Sequence, residues 1–86
     1  MEGKFYKIQY RHREWSDPEK WRIAFGEYEE ASPYDDSFGH RELADAVYNR
    51  DSLRLWHLGQ GYEFRIIEIS YSISSRVMDE AECVGH

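Results

Sequence analysis

The chain has 86 residues, a formal charge of −6 and a pI near 5.1. Its length allows one hydrophobic core and no second domain, and its acidity argues against general attraction to a phosphate backbone, which needs clustered Lys and Arg. A single cysteine, Cys83, excludes an intramolecular disulfide and a multi-thiolate zinc cluster, and reads as a protein of the reducing cytoplasm.

KFYKIQYR, residues 4–11, alternates: Tyr6, Ile8 and Tyr10 share one face, Lys7, Gln9 and Arg11 the other, as in a half-buried strand. Polar residues 12–20 follow, with Asp17-Pro18 favouring a turn. WRIAFGEY then sets Trp21, Ile23 and Phe25 on one face, so the two segments read as a hairpin with a long loop. GEYEEASPYDDSFG, residues 26–39, has no sustained apolar period and reads as loop leading into a helix. Ser37 or Gly39 is the expected N-cap, with Glu42 at the third helical position in the second register and Asp35 and Asp36 near the positive end of the dipole.

Leu43, Ala46 and Val47 mark an amphipathic helix to about Arg50. From Asp51-Ser52 the pattern either continues or breaks and restarts, with Gly59 as the stop. Residues 61–73 form the strongest strand, with Tyr62, Phe64 and Ile66 on one side and Ile67, Ile69, Tyr71 and Ile73 on the other. That change of phase implies either a bulge near Ile66-Ile67 or a strand covered on both faces. The expected fold is therefore α+β: a three-stranded antiparallel sheet in β-β-α-β order, with one amphipathic helix packed on one face. Tyr6, Ile8, Tyr10, Trp21, Ile23, Phe25, Leu43, Val47, Ile67 and Ile69 would form the core, leaving the second sheet face open to solvent or a partner. Residues 1–73 make the domain and 74–86 an acidic tail or short helix.

The first twenty residues carry Glu2, Lys4, Lys7, Arg11, Arg13, Glu14 and Asp17 and leave no apolar run for a signal peptide. The longest apolar-rich run, 62–73, is interrupted by Glu63, Arg65 and Glu68, so no membrane span is expected. A chain of this size buries only about 60% of the surface it exposes unfolded. Three Trp, seven Tyr and four Phe are then hard to hide, which points to rings left exposed or covered by a partner.

Charge is distributed unevenly: residues 1–25 hold six bases and four acids, 26–36 five acids and no base. The acids of that second stretch do not follow the alternating ligand spacing of a calcium loop, and the four histidines lack short zinc-type pairings, so no metal and no cofactor are expected. His12, Glu14, Asp17 and His40 are acid-base candidates, but no nucleophile elbow or phosphate-cradling glycine loop frames them, and the chain is not read as an enzyme. RNA stacking on Phe5, Tyr6, Tyr10, Trp21 or Tyr62 is opposed by core periodicity and by charge. Arg50, Arg54 and His57 could form a basic helical stripe but read more simply as a solvated face paired with nearby acids.

Protein recognition remains. Glu27, Glu29, Glu30, Asp35 and Asp36 offer negative potential, and Tyr28, Tyr34 and Phe38 offer aromatic anchors. The same stretch reads equally as a solvated loop whose two aspartates favour the helix start. YKIQYR, a Trp-bearing second strand, an acidic loop, RELADAV and YEFRIIEIS, spanning residues 4–71, together resemble small accessory proteins of phages and mobile elements, including anti-CRISPR and anti-restriction inhibitors. The resemblance implies a non-enzymatic protein that binds a host protein or complex with a basic surface, while the charge, the apolar runs and the single cysteine argue for a cytoplasmic protein without direct nucleic-acid or membrane binding. The alternative is a small regulatory or structural subunit that forms a homodimer through the open sheet face.

Overall fold

The computed structural model describes residues 3–17, 20–24, 39–70 and 74–83. Among them run β1 (Lys4–His12), β2 (Arg22–Ile23), α1 (Leu43–Trp56), β3 (Tyr62–Ser70), β4 (Ser74–Val77) and a 3₁₀ turn (Glu80–Cys83). The strands form one antiparallel sheet in the order β2-β1-β3-β4. The α+β class and the β1–β2 hairpin are as the sequence implies. The strand count is not: β4 adds a fourth strand, so the order is β-β-α-β-β. No described helix is long and apolar enough to cross a membrane.

β1 and β3 pair without interruption from Lys4↔Ser70 to His12↔Tyr62. There is no bulge at Ile66-Ile67, and the change of phase has the other expected origin: β3 lies between β1 and β4 and is buried on both faces. Directly opposed residues share a face, so Ile8 and Ile66 point to one side, and Lys7 and Ile67 to the other. On the first side α1 lays Ala46 and Val47 against Ile8, Ala24, Phe64 and Ile66. Ala46 is fully buried, and its single methyl lets the helix approach the strands closely. Met78 and Cys83 join the same cluster.

The second face is not the open surface expected. Ile23, Ile67, Ile69 and even Lys7 are buried there, Lys7 to 1% exposure. The expected single core is thus divided: Tyr6, Ile8, Tyr10, Leu43 and Val47 lie on the helix side, Ile23, Ile67 and Ile69 on the other, and Phe25 is outside the described residues. Trp21 is only half-buried, with the guanidiniums of Arg11 and Arg65 over its ring at 4.5 and 4.0 Å. Burial and the neighbouring Arg11 charge lower the Arg65 pKa.

α1 starts later than its expected caps. The backbone of His40 is taken by β1, with Tyr6 N donating to His40 O and His40 N to Tyr6 O, both at 2.7 Å. The chain is therefore still extended at residue 40, and helical geometry begins at Leu43 with Glu42 as N-cap. At the other end the helix runs through Asp51-Ser52 to Trp56. Ser52 does not break it because its hydroxyl donates to Tyr48 O within the helix at 2.9 Å. Gly59 and Gly61, at φ of 78° and 88°, then turn the chain into β3.

The domain does not close at residue 73. β4 pairs Ile67↔Val77 through Ser70↔Ser74, and the turn after it folds back onto α1. Asp79 and Glu82 cap this turn reciprocally: Glu82 N donates to Asp79 Oδ1 at 3.0 Å and Asp79 N to Glu82 Oε1 at 3.2 Å. Arg76 then bridges Glu82 at 2.7 Å and Glu68 at 3.2 Å, while Arg54 holds Glu80 at 2.6 Å.

These arginines lower the pKa of both carboxyls, through the Arg54 hydrogen bond for Glu80 and the Arg76 hydrogen bond for Glu82. A depressed folded pKa contributes stability that is complete above the unfolded value of about 4.3 and is lost as pH falls through the folded value. The amides of Glu82 and Cys83 are accordingly expected to lose exchange protection below about pH 4, ahead of the β1–β3 amides. Equal protection of Cys83 at neutral pH and at about pH 3 would show that these ion pairs do not hold the turn.

Candidate functional site

At one end of the sheet the last residues of β1, the first of β3 and the end of α1 converge. The register sets Tyr10 opposite Phe64 and His12 opposite Tyr62 on the helix face, and the 57–61 turn returns His57 over the same rings. His57 lies 5.2 Å from Tyr62 and 5.9 Å from Phe64, and Tyr62 is stacked on Phe64 at 6.3 Å. Trp15 meets Tyr10 edge-on at 5.8 Å. Between them lies a cleft of about 270 Å³ lined by Tyr10, Ala24, Leu53, His57, Tyr62 and Phe64. It is a little smaller than the roughly 300–1,000 Å³ of small-molecule sites, a size that suits one large side chain.

The imidazoles are fixed by the turn. Glu14 N donates to His12 Nδ1 at 3.0 Å, so His12 must carry its proton on Nε2, which donates to Gln60 O at 2.7 Å. Gly61 makes room for this contact, since a Cβ there would stand 3.0 Å from His12 Nε2. His57 Nδ1 lies 3.0 Å from Gln60 Oε1. Donation to that oxygen leaves Nε2 of a cleft-lining ring as an acceptor.

Beside the cleft, α1 and the turn after it carry a second feature. Tyr48, Leu55, Trp56 and Leu58 are 73%, 74%, 79% and 78% exposed. The aromatic load inferred from composition is therefore partly unburied, and it is concentrated on the outer side of the helix.

The eight residues expected to bind a partner, Glu27, Tyr28, Glu29, Glu30, Tyr34, Asp35, Asp36 and Phe38, lie outside the described residues. Of the acid-base candidates, His12 and Glu14 stay together at the end of β1, whereas His40 bridges to Tyr6, six residues from His12 along the strand, or about 20 Å at strand rise. Among the described residues no three His, Cys, Asp or Glu side chains gather at a metal-sized site. Of the rings considered for RNA stacking, Tyr6, Tyr10 and Tyr62 lie on the helix side and Phe5 on the other. Arg50 and Arg54 pair with the nearby acids Asp51 and Glu80 as expected, but the stripe is not a solvated face, since Arg50 is buried and His57 lines the cleft. Comparison with known protein families, curated proteins and solved structures finds no match for this chain.

Proposed function

We propose that this chain is a non-enzymatic protein-binding module that takes an apolar anchor of its partner into the cleft between Tyr10, His57 and Tyr62. The observation that carries the reading is the cleft itself: aromatic, close to 270 Å³, and lined by His57, whose Nε2 offers an acceptor to a backbone N–H of the anchoring segment. Buried aromatic anchors in small desolvated pockets dominate the energetics of protein recognition. In the host-defence inhibitor class that the sequence resembles, the acids from Glu27 to Asp36 would steer a basic host surface toward the protein.

The test is capture of partners from a bacterial lysate at low and moderate salt. Wild type is compared with a His57→Ser/Tyr62→Ser variant and with one in which Glu29, Glu30, Asp35 and Asp36 are each replaced by Lys. Loss of a stoichiometric partner in the first variant, by tenfold or more in affinity, is the expected result. Loss only on charge reversal places recognition in the acid-rich stretch and removes the cleft from it. A partner retained by both variants overturns both mechanisms.

A further inference from the structure

Ala44, Tyr48, Ser52 and Trp56 are spaced four apart on α1 and so form one ridge. The helix turns Ala46, Val47 and Arg50 inward, which leaves this ridge on the outer side, with Tyr48 and Trp56 both more than 70% exposed. Read along the helix the ridge runs small, large, small, large. Read backward it runs large, small, large, small, so it is complementary in volume to an antiparallel copy of itself. We propose that this ridge is the contact face of a homodimer whose two-fold axis passes between Tyr48 and Ser52. Tyr48 then packs against the partner's Ser52 and Trp56 against the partner's Ala44, an isologous contact of the kind two-fold symmetry requires. Ridges at this spacing packed against each other are the commonest class of helix contact.

Two further observations favour a second copy as the occupant. Ser52 can enter a dry interface without stranding a donor, because its hydroxyl is already bonded to Tyr48 O. The area is also sufficient. At about 150–250 Å² for an aromatic side chain, Tyr48 and Trp56 offer on the order of 300 Å² per copy. With the neighbouring Leu55 and Leu58 included, the pair would bury on the order of 1,000 Å², where specific interfaces begin. An interface at that lower limit falls in the weak or transient class, so association is sought in the micromolar range. The ridge shares no residue with the cleft, although Leu58 beyond its end lines a hollow with His57, Tyr62 and Phe64; substitutions at Ser52 and Trp56 therefore test the dimer apart from the binding role proposed above.

Sedimentation velocity of the full chain over about 1–500 µM tests it, a range that brackets micromolar association. Wild type is expected to pass from monomer to dimer across this range, and Trp56→Ser to weaken the dimer at least tenfold. The discriminating variant is Ser52→Trp. It adds apolar surface, so indiscriminate hydrophobic association would strengthen, whereas a ridge that needs small against large loses its fit and the dimer weakens at least tenfold. Both positions face away from the core, and thermal unfolding by circular dichroism confirms that the compared proteins are folded. A wild-type chain that stays monomeric at the top of the range, or a folded Ser52→Trp chain that associates as tightly as wild type, overturns the proposal.

Discussion

Ile66→Ala is expected to destabilise the domain by about 3–4 kcal/mol, near the upper half of the range for removing a buried Ile side chain. Ile66 is fully buried, stands opposite Ile8 on the helix face and packs in the cluster that includes Ala46 and Val47. Its surroundings are poorly able to collapse. The backbone on both sides is pinned by β1 and β4, with Met78 N donating to Ile66 O at 2.8 Å, and Ala46 opposite is too small to lean into the space. A domain of this length holds roughly 4–13 kcal/mol in total at about 0.05–0.15 kcal/mol per residue. The substitution therefore removes a large share, and at about 4–8 °C per kcal/mol the midpoint should fall by roughly 12–30 °C. Tyr48→Ala, on the outer side of the same helix, should change stability by only about 0.5 kcal/mol. Urea and thermal unfolding of the two variants measure the contrast. A loss below about 1 kcal/mol at Ile66 would mean that α1 does not cover this face of the sheet.

The elements most legible in the sequence are those whose burial is one-sided or whose apolar content is dense. Alternation at Tyr6, Ile8 and Tyr10 located β1, and the isoleucines located β3. Lys7 shows why the pattern is incomplete. Its place on the polar side of the alternation implied solvent, but β1 is an inner strand flanked by β2 and β3, and position 7 is buried by the chain itself. β4 had no apolar signature because all four of its residues, Ser74 to Val77, are exposed on a sheet edge. The turn after it had a different signal: Asp79 and Glu82 stand at capping-box spacing, which places the helical turn within the segment that composition alone left as an acidic tail or short helix. The cleft was legible residue by residue but not as a site. Tyr10 and Tyr62 were readable as strand positions and His57 as a helix position. Only the β1–β3 register and the two positive-φ glycines of the turn bring residues 10, 57 and 62 together, and no local pattern encodes a register between strands fifty residues apart.

Arg50→Ala is the second substitution expected to have a large effect, about 2–3 kcal/mol, and the cause is packing more than charge. The side chain is inside, with 5% of the residue exposed, and its guanidinium meets Asp51 at 2.9 Å and Glu80 at 3.5 Å. Breaking a fully buried ion pair can cost about 3–5 kcal/mol because the surviving partner is stranded. Neither partner is stranded here. The side chains of Asp51 and Glu80 are 54% and 69% exposed, and Glu80 keeps Arg54 at 2.6 Å. What Ala removes is the aliphatic stem and the volume between α1 and the 3₁₀ turn, together with a guanidinium whose desolvation is offset by its pairing with Asp51 and Glu80. Met restores that volume without the charge, so Arg50→Met should lose less than half of what Arg50→Ala loses, about 1 kcal/mol. Chemical denaturation of the two variants decides between the causes: equal losses would show that the charge holds the turn, and the packing account of Arg50 would be wrong.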